Sequence, residues 1–304
     1  MTLTEQVTKK IIKRLLQAKD YRIEVISLIN AQFLQFAIDF FKKVVEVKLN
    51  SETITIDWYK KHFILDDRLD KTDVAIHSGL NMKTINNMYN TERKAVVLDA
   101  SKEHYDSLYQ SISELVKEDT ELDLLLTIKL KGVSVELNVT ESLIVINTLA
   151  VKRAALRGGL WSTAGKRVEA PLMLVLCKLY KVDSPYFRKE TKGKKTTGSY
   201  EREVDFFLIS NDKEYQCEVK LMGKGNPEGA DVVIARDSKV FIADKLSDTN
   251  KKQLDELGIE WVELRSALGF KKFEAVLSNL NIPFTNLDVI HLEEIVDDVF
   301  EEDF

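Results

Sequence analysis

A chain of 304 residues that is 44% hydrophobic and 31% charged can build one large or two medium domains around a packed core, which excludes a disordered chain. No run approaches the roughly 18 consecutive apolar residues of a membrane span, and MTLTEQVTKKIIKRLL lacks the apolar centre of a secretory signal, so a cytoplasmic protein without a membrane partner is expected. The net charge of −5 is uneven: residues 282–304 hold eight acids and no Lys or Arg, whereas 151–202 hold thirteen basic residues against four acids, a segment suited to a polyanion.

Helical periodicity opens the chain, over 4–19 and 21–47, with Ile11, Ile12, Leu15 and Leu16 and then Val25, Ile29, Phe33, Phe36, Phe40 and Val44 at three- and four-residue steps. A helix is expected from 101 to about 117. LLLTIKLKGVSVELNV alternates on both sides of Lys131 and Gly132 and reads as a β-hairpin. A helix over 140–157 is expected to end at Gly158 and Gly159, placing Trp161 and Ser162 in a loop. Next come a helix over GKRVEAPLMLVLCKLYKV, a strand near SPYFRKE and a Lys/Gly/Thr loop at 191–199. Strands at 203–210 and 214–221, a helix near 228–236, the strand KVFIAD, a helix over TNKKQLDELG, the strand IEWVEL and a helix near 267–280 complete the pattern. The expected fold is α/β (α+β): a central mixed sheet flanked by helices at 139–304, preceded at 1–138 by a mainly helical domain. Cys177 and Cys217 lie inside apolar runs and read as reduced core residues.

Charge on the hairpin strands needs a reason, because buried strands rarely carry it. Ser210, Asn211, Asp212 and Lys213 suit a tight turn, and a two-residue loop at Asn211 and Asp212 sets Asp205 opposite Glu218 and Glu203 opposite Lys220. Opposed residues have Cβ atoms about 4.5–5.5 Å apart, so two carboxylates there repel unless a cation joins them. Mg²⁺ suits such a pair, being oxygen-seeking and able to activate water against phosphorus. Lys220, on the same face as Glu218, can orient that water and hold a phosphate oxygen. The alternative is an ordinary Glu203–Lys220 ion pair beside a wet sheet end.

Asp205, twelve residues, then Glu218, Val219 and Lys220 resembles the motif of the PD-(D/E)XK nuclease superfamily, and the surrounding helix, hairpin, helix and strand resemble its core over roughly 165–265. The resemblance implies a further acid on the first core helix, which Glu169 matches. Val204 stands where the family has proline, which leaves Glu203 as an alternative ligand to Asp205; Asp205 is favoured because it opposes Glu218. Within the superfamily the chain looks most like a type II restriction endonuclease. That implies Mg²⁺-dependent cutting of a short site in double-stranded DNA by a homodimer, with Asp205 and Glu218 holding metal, Lys220 positioning water and Glu169 supporting the metal shell. GGLWSTAGKR fails as a nucleotide-binding loop, since five residues separate Gly159 from Gly165 and Arg167 follows Lys166, so no nucleotide cofactor is expected. The scattered His62, His77, His104 and His291 argue against a histidine-based nuclease.

For DNA contact, TDVAIHSGLNMKTINNMYN resembles a helix-turn-helix near 70–90. Asn81 would cap a second helix on which Met82, Ile85, Met88 and Tyr89 face inward and Lys83, Thr84, Asn86 and Asn87 face out. Arg153, Arg157, Ser162 and Lys166 lie before the catalytic segment; Lys189, Lys192, Lys194 and Lys195 are assigned to the loop that follows, and Lys224, Asn226 and Arg236 come after Lys220. The acidic tail would be repelled by DNA and is expected to cap the far side or join a subunit interface. Two other functions fit part of the pattern: a structure-selective nuclease such as a junction resolvase or repair enzyme, and a non-catalytic DNA-binding regulator.

Overall fold

The computed structural model describes residues 2–50, 54–118, 124–192, 203–221, 237–285 and 291–302, without the side chains of 162, 190–192, 203–205 and 302. Packing divides the chain into two compact units, one of residues 29–160 and one joining 1–28 to 161–304.

The 29–160 unit is mainly helical. It takes the later part of α2 (Arg22–Leu49), then α3 (Ile56–Phe63), α4 (Lys71–His77), α5 (Met82–Tyr89), α6 (Lys94–Glu118), the antiparallel hairpin β1 (Leu126–Leu130) and β2 (Val133–Leu137), and the start of α7 (Val139–Leu179). By length and composition α2 could cross a membrane, but Phe40, Val44 and Val47 from it enter this unit's core with Trp58, Tyr59, Phe63, Tyr105 and Ile144. Tyr59 stacks on Tyr105 at 4.7 Å, and its hydroxyl donates to the His77 carbonyl at 2.9 Å. Glu141 is buried, accepts the amides of Ile54 and Asn138 at 3.2 and 2.9 Å, and pairs with Lys48 at 2.6 Å.

The other unit holds a five-stranded sheet flanked by helices, the mixed architecture the sequence predicts. Strand order is β3 (Phe187–Lys192), β4 (Glu203–Ser210), β5 (Lys213–Lys220), β6 (Val240–Ala243) and β7 (Glu260–Glu263). The first three strands are antiparallel neighbours and the last three are parallel. Around it stand α1 (Leu3–Leu16), the later part of α7, α8 (Asp248–Glu256), α9 (Phe273–Asn279) and α10 (Leu292–Glu302). Thr2 and Glu5 start α1 with a reciprocal capping box. The acidic α10 buries Val296, Val299 and Phe300, and its Asp297 lies 2.8 Å from both Lys9 and Lys13 of α1. The tail therefore packs on the first helix of its own chain.

Several expected elements differ. The helix starting near 140 does not end at Gly158 and Gly159: α7 runs unbroken through both, through Trp161 and Ser162, and through Pro171. Neither glycine has the positive φ of a left-handed cap. Each costs about 1 kcal/mol in a helix interior, offset by the turns beyond, where Ala164, Val168, Leu172 and Val175 are buried. Lys189 and Lys192 belong to β3 rather than to a loop, since β3 pairs with β4 as far as Lys192 opposite Glu203. The helix expected from 101 starts at Lys94, because Val97 and Ala100 extend the buried stripe. Met88 and Tyr89 of α5 are exposed, and Ile85 alone of the expected inward set is fully buried. The helix expected near 228–236 and most of the 191–199 segment lie outside the described residues.

Candidate active site

The β4–β5 turn is built as its residues demand. Asn211 and Asp212 have φ of 49° and 59°, the left-handed pair that a two-residue hairpin loop requires, and Ser210 pairs directly with Lys213. The register continues through Ile209–Glu214, Leu208–Tyr215 and Phe207–Gln216 to Phe206–Cys217. One step further along both strands stand Asp205 and Glu218. Asp205 also pairs with Glu190 of β3, and its side chain is outside the described atoms.

Alternation along β5 sets Cys217 and Val219 on one face and Glu218 and Lys220 on the other. Glu218 is only 3% exposed, and a carboxylate at such depth needs a nearby cation. Lys220 supplies it: Nζ lies 2.8 Å from Glu218 Oε1 and 3.6 Å from Oε1 of Glu169, which α7 brings in from the helical layer. Two acids and one lysine thus meet at the C-terminal end of β5. Glu169 and Glu218 are the described oxygen donors here; no group of three or more metal-binding side chains is found among the described residues.

The adjoining strand ends are charged as well. Lys220 pairs in register with Ala243, and Ala243 with Glu263. Asp244, directly after β6, is fully buried, with Arg22 and Arg265 nitrogens at 3.6 and 3.5 Å. Glu263 lies 2.7 Å from Lys251 and 3.4 Å from Lys245. Burial pushes the Glu263 carboxyl up, but the Lys251 contact, the Leu246 amide and Lys245 outweigh it and hold it below the usual carboxylate range. Ends of parallel strands are where open α/β sheets place their chemistry.

A family model described as CfrBI restriction endonuclease matches residues 5–251. The chain belongs to the CfrBI restriction endonuclease family. The match spans α1 through β5 and on into α8, so it takes in the acid–lysine cluster. No curated protein and no solved structure matches.

The remaining candidates of this restriction endonuclease fall in several places. Lys83, Asn86 and Asn87 are exposed on α5, while the Thr84 amide and hydroxyl both donate to Asn81 Oδ1, at 2.9 and 3.2 Å. Arg153, on α7, donates to Asn30 at 3.2 Å and lies over the Phe33 ring. Arg157 and Lys166 are exposed on the same helix; Ser162 is helical there, and its side chain is not described. Lys194, Lys195, Lys224, Asn226 and Arg236 lie outside the described residues. Sequence reasoning missed Asp244 and the two arginines around it. The available signal was an acid closing the apolar strand KVFIA; the arginines, 222 residues before and 21 after, gave none.

Proposed function

We propose that this member of the CfrBI family is a type II restriction endonuclease that uses Mg²⁺ to hydrolyse phosphodiester bonds at a short specific sequence in double-stranded DNA. The observation that carries this reading is buried Glu218 paired with half-buried Lys220, with Glu169 in reach at the end of β5. The donor chemistry fits a hard divalent cation: Glu218 and Glu169 offer carboxylate oxygens, and Asp205 is one register step from joining them. Bound there, Mg²⁺ would supply Lewis-acid chemistry, lowering the pKa of water and neutralising charge on the phosphate.

The chain's own groups have separate tasks. Glu218 and Asp205 hold the cation, with Glu169 supporting them. Lys220, anchored by two acids, holds the attacking water and a non-bridging phosphate oxygen in line. Water oxygen bonds to phosphorus and gives up one proton to solvent, the bond from phosphorus to the 3′ oxygen breaks, and that oxygen takes a proton back from solvent. The products are a 5′-phosphate and a 3′-hydroxyl. Cutting both strands calls for two such sites, hence a homodimer with one site per strand. Lys83, Asn86 and Asn87 read bases from the exposed face of α5, and Arg153, Arg157 and Lys166 meet backbone phosphates.

The test is digestion of phage DNA by the purified protein with Mg²⁺ and with EDTA. Discrete fragments that need Mg²⁺ and carry 5′-phosphates are expected. Intact DNA in both lanes, with cutting of cruciform DNA instead, would replace this reading by a structure-selective nuclease.

A further inference from the structure

The first helix carries charge that the proposed chemistry leaves unused. On α1 the apolar side chains Val7, Ile11, Ile12, Leu15 and Leu16 are buried. The opposite side runs Lys9, Lys10, Lys13 and Arg14, and Lys19 follows just past the helix end. Part of this charge is matched internally: Lys9 and Lys13 share Asp297, and Arg14 lies 2.6 Å from Glu24. Lys10 and Lys19 are exposed, and neither pairs with a carboxylate among the described residues.

Those two lysines help line an open surface pocket of about 370 Å³ together with Lys13, Arg14, Glu24 and Glu293. Four cations line it against two carboxylates, and Asp297 outside the lining is divided between Lys9 and Lys13, so the pocket keeps a surplus of between one and two positive charges. A phosphodiester group is a monoanion, and Gln17, also in the lining, adds an amide donor for its oxygens.

The turn after Lys19 is tied to the end of the sheet that carries Lys220. Arg14 donates to the Asp20 carbonyl at 3.4 Å. Asp20 Oδ2 is 2.9 Å from Arg22 and 3.4 Å from Arg265, and both arginines approach buried Asp244. Asp244 follows Ala243, the register partner of Lys220, on a strand about 4.8 Å away.

We propose that this pocket binds one backbone phosphate of the DNA beside the cut, with Lys10 and Lys19 as its cations and the Arg22–Asp244–Arg265 cluster holding it to the catalytic strand ends. The assignment rests on the reading of the chain as a DNA endonuclease. Such a contact carries no base information; it sets the duplex in place along the strand ends and makes affinity depend on salt.

The experiment measures binding of a fluorescein-labelled random-sequence duplex in EDTA across a range of salt concentrations, for wild type, for Lys10→Gln/Lys19→Gln, and for Lys213→Gln/Lys239→Gln. The last variant removes the same charge at the opposite end of strands β5 and β6. The α1 double variant is expected to bind more weakly, with the slope of log affinity against log salt reduced by about 1, the value for one lost phosphate contact, at an unchanged melting temperature. An unchanged slope, or an equal reduction in the Lys213→Gln/Lys239→Gln variant, overturns the pocket while wild-type cutting keeps the proposed function. A wild type that neither binds nor cuts DNA removes both.

Discussion

Lys220 Nζ lies 2.8 Å from Oε1 of Glu218, two positions back on the same strand, and the lysine is 31% exposed while the acid is nearly sealed. An acid that deep is set by its neighbour and not by solvent. The lysine keeps one side toward water, and with Glu169 at 3.6 Å it is held from two directions. A group so fixed has little freedom to lose when a phosphate arrives.

Replacing Lys220 by Ala should therefore lower DNA cutting by about 10²–10⁴-fold, the usual range for a positioned proton-handling group, while DNA affinity in EDTA stays near wild type. Glu218→Gln should lose cutting to a similar degree and should no longer respond to added Mg²⁺. Plasmid linearisation timed on gels reads both variants. Either one cutting at the wild-type rate contradicts the roles given to them.

The site's register was legible because two neighbouring residues specify it. Asn211 and Asp212 accept positive φ, and a two-residue loop leaves one alignment for Phe206 and Cys217. Glu169 was reached through family resemblance, since nothing local marks a lone acid on a helix. Gly158 and Gly159 misled because glycine ends helices when its φ turns positive, and here burial further along outweighs its cost. The apolar stripe of α1 announced that it is buried but not in what, because packing between distant segments leaves no periodic trace. Asp244 shows the same limit: its arginines converge only once α1, α2 and the sheet are assembled.

His77 gives the 29–160 unit a pH dependence. Its ring is 6% exposed, 5.8 Å from Phe36 and 4.9 Å from Phe63. Burial first, and then the nearby charges of Lys152 and Lys43, depress it from 6.5 to about 3. A depressed histidine is neutral in the fold and takes up a proton more readily on unfolding. Its contribution is intact above the unfolded value near 6.5 and declines as pH falls toward the folded value. The unit should lose about 2 kcal/mol between neutrality and pH 5. Hydrogen exchange of α3 amides measures this, and His77→Leu should flatten the pH response.

Glu141 tests the cost of breaking a buried charge pair. Its oxygens accept two backbone amides and meet Lys48, which is 18% exposed against 3% for the acid. Glu141→Ala leaves those amides and the lysine unsatisfied and should cost about 3–5 kcal/mol. Glu141→Gln, which keeps one acceptor, should cost less. Urea unfolding of the two variants ranks them, and equal losses would mean that the charge itself carries the interaction.

Stability and the proposed base reading separate on α4 and α5. Gly79 has φ +89°, and an added Cβ would meet His104 Nε2 at 3.2 Å; Gly79→Ala should therefore cost about 1–2 kcal/mol from the left-handed backbone alone. Asn81 accepts the Thr84 amide as the cap of α5, and Asn81→Ala should cost about 1 kcal/mol. Asn86 and Asn87 are exposed on the same short helix, so alanine at either should change stability by less than about 0.5 kcal/mol. If they read bases, those alanines should still relax the cleavage pattern, by about 1–3 kcal/mol of discrimination for each lost bidentate contact. Mapping the fragment ends made by Asn86→Ala and Asn87→Ala decides the point. An unaltered pattern from both would make α5 a structural element, with base recognition placed elsewhere on the chain.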